Sequence, residues 1–237
     1  MSKSVLLNSS IAKKYWMAFT GLFLCLFLVG HLLGNLQLLA TGPEARTAFN
    51  EYALFMTTFP LVKILSYVTY FSILFHTVDG ILLAVQNRKA RPQKYAYTKP
   101  GTNSSWASRN MALLGSLVLF FIVSHMSQFW YRMHFGDMPI QLLEDGEQLK
   151  DLYTVTVLFF QNGTEGLVWT ILYVVSMLVV AFHLSHGFQS AFQSLGARHP
   201  KYTPLIQKVG LAFAVLIPLG FAIIPVFLHF MLDPIHP

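Results

Sequence analysis

Five apolar runs, each long enough to cross a lipid bilayer, constrain this chain more than any other feature. They are Tyr15–Ala40, Pro60–Asn87, Ala107–His134, Gly166–Leu195 and Thr203–Leu232. A hydrocarbon core of about 30 Å needs about 20 predominantly apolar residues in a helix, and every run meets that length. Lipid offers no partner to an unpaired backbone amide, so spanning segments are helices or the strands of closed barrels. Barrel strands would show as alternating segments of about ten residues, and none is found. The expected fold is all-α: an integral membrane bundle of five transmembrane helices forming a single membrane domain over residues 1–237. Composition agrees. Charged residues make up 11%, against about a quarter in a soluble domain. The single cysteine, Cys25, lies inside an apolar run, which excludes a disulfide scaffold, and 21 Phe exclude a disordered chain. The first run is too long for a signal peptide and lacks a small-residue cleavage site before a polar mature chain.

The cations give an expected orientation. Lys3, Lys13 and Lys14 precede the first run. Arg88, Lys89, Arg91, Lys94, Lys99 and Arg109 join the second to the third, and Arg198, Lys201 and Lys208 lie around the fourth-to-fifth connection. The other side holds only Arg46, Lys63, Arg132 and Lys150, together with every acid except Asp79. The N-terminus is therefore expected in the cytoplasm and the C-terminus outside, in the inner (cytoplasmic) membrane of a prokaryote. The net charge of +6 reads as topology. No stripe of aromatics interleaved with cations indicates nucleic acid. Of the outer connections, Pro43–Thr58 has the mixed polarity of a short interfacial helix. Gly136–Gly163 begins acidic (Glu144, Asp145, Glu147, Asp151) and turns apolar at Val155–Phe160. No segment is long enough for a separate soluble domain, so any soluble chemistry is expected on partner chains.

Polar groups inside a span are costly and mark function. His31, His76, His125 and His183 each lie deep in one of the first four runs. Counting along the helix, His31 is 17 residues past Lys14 and His125 is 16 past Arg109, which puts both in the outer half. His76 is 12 residues before Arg88 and His183 is 15 before Arg198, which puts both in the inner half. The expected pairs are His76 with His183 and His31 with His125, in layers about 10–15 Å apart by helix rise. Two facing imidazoles are what a six-coordinate haem iron needs, and bundle cores are where such sites are built. Zinc would instead want three or four ligands at one depth. A single intramembrane histidine is explained by a helix–helix hydrogen bond, but four in two matched layers are poorly explained that way. Small residues support the reading. Gly80 and Gly187 follow His76 and His183 by four, on the same helix face, Gly30 and Gly34 flank His31, and Gly21 and Gly115 fall at the inner layer's depth. His186 is three residues past His183 and competes with it as ligand. His134 and His229 sit near the outer ends of their runs, and His199 and His236 in polar segments. Pro218 and Pro225 are expected to kink the fifth run.

The set His31-Leu32-Leu33-Gly34-Asn35, Phe75-His76 with Gly80, Ser124-His125, and Phe182-His183 with Gly187-Phe188 resembles a known family. It is similar to the cytochrome b membrane anchor of succinate:quinone oxidoreductases and quinol:fumarate reductases, in the single-chain, five-helix, di-haem form. The resemblance covers essentially the whole chain. It implies two haem b groups, a proximal one on His76 and His183 and a distal one on His31 and His125, and a quinone, typically menaquinone. It also implies two cytoplasmic partners, an iron–sulfur subunit and an FAD flavoprotein, with FAD and iron–sulfur clusters carried only there. A dimer or a trimer of the complex stays open. Some fumarate reductases of this type carry a glutamate two residues before the fourth ligand for proton compensation. Here that residue is Ala181. The departure favours succinate dehydrogenase coupled to the membrane potential, at about 2.3 kcal/mol per electron per 100 mV. The expected function is thus a di-haem cytochrome b subunit, not catalytic by itself, that anchors succinate dehydrogenase and passes electrons to quinone. The alternatives are a fumarate reductase subunit running in reverse, a di-haem anchor of another respiratory oxidoreductase, or a haem-free transporter. Quinone candidates are Glu51, Asn35, Gln37 and Gln128. Gly80 and Gly187 are candidates for haem packing, and Arg88 and Arg109 for haem propionates, although arginines at that depth also snorkel for their own sake.

Overall fold

The structure is a computed structural model and describes residues 9–42, 44–90, 102 and 104–234. Pro43, His236 and the cations Lys3, Arg91, Lys94 and Lys99 lie outside the described residues. Five helices among those described are long and apolar enough to cross a membrane. The first is α1 (Ser10–Asn35), continued by a 3-10 turn over Leu36–Leu39. It starts five residues before the apolar run does, because Lys13 and Lys14 extend the helix at its polar end. After α2 (Ala45–Thr58), α3 (Pro60–Lys89) is the second span. The third is built from α5 (Met111–His125), a π-helical turn at Met126–Trp130 and α6 (Tyr131–Phe135), preceded by the single turn α4 (Trp106–Arg109). A hairpin of β1 (Ile140–Leu142) and β2 (Gln148–Lys150) and the short α7 (Leu152–Gln161) lead to α8 (Gly163–Ser194) and α9 (Thr203–Phe230). Large apolar side chains such as Leu26, Phe120, Leu178 and Leu216 stand exposed along the spans. Exposed apolar surface on that scale is what lipid covers in a multi-pass membrane protein.

Local chemistry explains the boundaries. Pro60 opens α3 at a helix's first position, where its missing N–H costs nothing, and Phe59 before it is extended. Ser105 caps α4 by accepting from the Ser108 amide, and Asp151 caps α7 by accepting from Thr154. α8 ends on Gly196, whose φ of +81° permits paired bonds from Ala197 N to Phe192 O and from Gly196 N to Gln193 O. Pro218 and Pro225 lie inside α9. The connection between the first two spans, where a short helix was expected, holds α2. The second connection holds a hairpin that its sequence did not announce.

Contacts divide the chain into two compact units. One comprises residues 1–28, 68–119 and 179–216. Its core is Cys25, Leu184 and Ala214, with Leu28, Val180, Phe188 and Phe213 packed around them. The other comprises residues 29–67, 120–178 and 217–237. Its core gathers Leu32, Leu38, Phe49, Tyr153, Val157, Phe160, Tyr173 and Leu228. That second unit contains a buried polar network. Asp151, 0% exposed, accepts from Arg46 and Asn50, and Asn50 in turn donates to Gln141 and accepts from the Tyr153 amide. Gln141 continues the chain by donating to Thr47 at 2.7 Å. α2, the hairpin and α7 are thereby tied by one set of satisfied hydrogen bonds.

Gly34 belongs to this packing. A Cβ there would meet Tyr52 of α2 at its hydroxyl, with Cε1 at 2.7 Å and Cζ at 2.8 Å. The sequence assigned this glycine to a bare face beside His31, and the structure gives it to Tyr52 instead. Gly34→Ala is expected to lower the thermal unfolding midpoint, by overpacking worth about 1–3 kcal/mol. Combination with Tyr52→Ala should remove most of the alanine's effect, and an additive double variant would show that the contact is not the cause.

Candidate functional site

The first unit brings His76 of α3 and His183 of α8 together, ring centroids 6.2 Å apart and planes at 67°. Both rings are half-buried. α1 and α5 reach the same place through glycines. A Cβ on Gly21 would stand 3.1 Å from His76 Cε1, and one on Gly115 would stand 3.7 Å from His183 Cε1. The depth count placed both glycines at this level, and the structure does so too. Gly187 faces open space, and Gly80 packs against the Met17 methyl at an ordinary 3.8 Å. His186, the competing residue, is half-buried one turn further along α8, and the ring that meets His76 is that of His183.

The second unit pairs His31 of α1 with His125, the last residue of α5, at 5.8 Å and 81°. Aromatic rings enclose this pair. Phe221 lies 5.5 Å from His31, and Phe121, Phe129 and Tyr173 lie 5.4–6.0 Å from His125. The π-helical turn begins directly after His125, and single π turns within α-helices recur at functional sites. Its third residue, Gln128, accepts the Tyr173 hydroxyl proton at 2.6 Å.

The separations are informative. A metal–imidazole bond of about 2 Å plus a ring radius of about 1 Å on each side means that two imidazoles holding one metal ion would stand up to about 6 Å apart, centroid to centroid. Edge-to-face packing spans the same range, so distance alone does not separate ligand pairs from ring contacts. Protons do. Thr20 donates to the Trp16 carbonyl at 2.8 Å and lies 3.3 Å from His76 Nδ1. Tyr173 donates to Gln128 and lies 3.3 Å from His125 Nδ1. Each hydroxyl has one proton, and with it spent on those acceptors the oxygen can accept from the imidazole nitrogen. His183 Nδ1 is buried without a hydrogen-bond partner. At His31, Asn35 Nδ2 donates to the His31 carbonyl at 2.8 Å and stands 3.3 Å from Nδ1. Ligation through Nε2 would require Asn35 to turn its amide. Among the described residues no three His, Cys, Asp or Glu cluster as a metal site.

The remaining candidates divide. Asn35 and Gln128 stand at the His31–His125 pair. Glu51 is exposed on α2, and Gln37 is half-buried in the 3-10 turn. Arg88 is exposed at the C-terminal end of α3, where a cation complements the helix dipole. Arg109 is exposed and donates to the Ser104 carbonyl. Thr20 and Tyr173 escaped the sequence reading, because a threonine and a tyrosine in apolar runs carry no signal of their own. No protein-family model, curated protein or solved structure matches this chain.

Proposed function

We propose that this chain is the di-haem cytochrome b anchor of a succinate:quinone oxidoreductase, with its N-terminus in the cytoplasm and its C-terminus outside. The observation that carries the reading is the pairing of four histidines from four different spans into two couples, 6.2 and 5.8 Å between centroids. The residues fit the group. His76 and His183 would hold one haem b and His31 and His125 the other, in surroundings supplied by Gly21 and Gly115 at the first pair and by Phe121, Phe129 and Phe221 at the second. Bound there, the haems would supply one-electron transfer between an iron–sulfur partner and a quinone, for which menaquinone is the expected type. The chain's own part is to hold the imidazoles, exclude water from them with aromatic rings, and present a basic end to its soluble partners. Lys13, Lys14, Arg88, Lys89, Arg198 and Lys201 make up that end. The FAD flavoprotein and iron–sulfur subunits would dock there, on the cytoplasmic face of a prokaryotic inner membrane. Ala181 in place of a mid-membrane carboxylate favours succinate oxidation over fumarate reduction. Asn35 and Gln128, at the His31–His125 pair, are the better supported of the quinone candidates.

The purified chain is expected to show a dithionite-reduced α-band of the b type. A featureless difference spectrum rejects the proposal. Co-purification with a flavoprotein carrying covalent FAD supports the succinate assignment, and a molybdenum or nickel partner rejects it.

A further inference from the structure

We propose that Thr20 and Tyr173 are positioning residues, hydroxyl oxygens from neighbouring helices that hold one imidazole of each pair in its Nδ1–H form and leave Nε2 as the metal ligand. The inference rests on the di-haem reading and deepens it.

The argument is a count of protons. A hydroxyl donates once. Thr20 spends its proton inside α1, on the Trp16 carbonyl at 2.8 Å with the Met17 carbonyl at 3.3 Å. With that proton spent, its oxygen faces His76 Nδ1, 3.3 Å away on α3, as an acceptor, beside the Met17 carbonyl, which also accepts from the His76 imidazole. Tyr173 on α8 spends its proton on Gln128 Oε1 at 2.6 Å, so its oxygen likewise accepts from His125 Nδ1 at 3.3 Å. The same device occurs once in each pair, on different helices and with different side chains. At the other member of each pair, His183 Nδ1 is buried without a hydrogen-bond partner, and the Asn35 amide nitrogen stands 3.3 Å from His31 Nδ1.

A ligating imidazole that donates its other N–H is oriented by that bond and becomes the more basic ligand. Greater basicity favours ferric iron, so an Nδ1 acceptor lowers the reduction midpoint, and its removal raises it. Tyr173 is also a core residue, 8% exposed, and packing alone would explain its presence. Near-isosteric variants separate the two roles.

Redox titration of the b-type absorbance in the full chain, in its membranes, is the test. Thr20→Val should raise the midpoint of the component that His76→Ala removes and leave the other in place. Thr20→Ser should restore it. Tyr173→Phe should raise the midpoint of the component that His125→Ala removes, and that one alone. Unmoved midpoints with both components at wild-type amount would overturn the inference, as would a Thr20→Val shift in the His31–His125 component. Absence of b-type components from the unsubstituted chain would fail the di-haem reading itself, and it is recognised before any variant is made. The Thr20 arm stands without Tyr173, should loss of the phenol hydroxyl prevent folding.

Discussion

Alanine at His31 or His125 is expected to remove one and the same b-type spectral component, and alanine at His76 or His183 the other. The grouping is the informative part. Each pair closes within one compact unit, between helices far apart in sequence, so loss of either member leaves a single imidazole facing a gap. Where both imidazoles of a pair would be needed to hold one haem, losing either should remove that pair's component, so about half of the b-type absorbance should remain in each single variant. A double variant within a pair should resemble its single parents, and a double variant across pairs should lose both components. His186→Ala should keep both, because the ring that meets His76 is that of His183. If His31→Ala and His76→Ala erased the same component, the pairing, and the di-haem proposal with it, would be wrong.

The second large effect concerns stability. Asp151 is fully buried, and its carboxylate accepts from Arg46, Asn50 and the Thr154 amide. Burial alone would raise its pKa. The hydrogen bonds from Arg46, Thr154 and Asn50 outweigh that and hold it below the usual carboxylate value. Asp151→Asn would set a second donor against the Arg46 guanidinium. The expected loss is about 2–3 kcal/mol, from hydrogen bonds to a charged group, and Arg46→Ala should cost less because the arginine is 45% exposed and screened. The pH dependence has a definite sign. A carboxylate with a depressed folded-state pKa contributes its stability above the ordinary value of about 4 and loses it as the pH falls further. The difference in thermal midpoint between wild type and Asp151→Asn should therefore be full at neutral pH and shrink below about pH 4. A difference constant down to pH 3 would assign the loss to packing instead.

Much of this arrangement was legible in the sequence because it depends on length along a helix. Apolar run length gave the five spans, and residue counts from Lys14, Arg88, Arg109 and Arg198 gave histidine depths that match the observed couples. Gly21 and Gly115 were found by the same arithmetic. Depth says nothing about which way a helix is rotated, and the unanticipated features all depend on rotation. Thr20 meets His76 across 56 residues and Tyr173 meets His125 across 48. Asn50 meets Asp151 across 101 residues, so the stretch read only as acidic and then apolar contains a buried cap. Gly34 was misassigned for the same reason, since its neighbour Tyr52 comes from another helix. The hairpin at Ile140–Lys150 has strands of three residues, too short for alternation to register.

The π-helical turn at Met126–Trp130 gives the third span a change of phase. A turn closed from residue i to i+5 holds one residue more than its α-helical counterpart. Everything beyond it is advanced by one helical step, about 100° around the axis. The face on which His125 sits is therefore not the face that later residues of the same periodicity would occupy. Met133, buried at 8%, and its carbonyl, which accepts from Lys150 at 2.8 Å, lie beyond that extra residue and take their facing from it. A one-residue deletion between Met126 and Trp130 would let the helix close regularly and keep its hydrophobicity, yet it would turn α6 away from Lys150 of the hairpin, which donates to it.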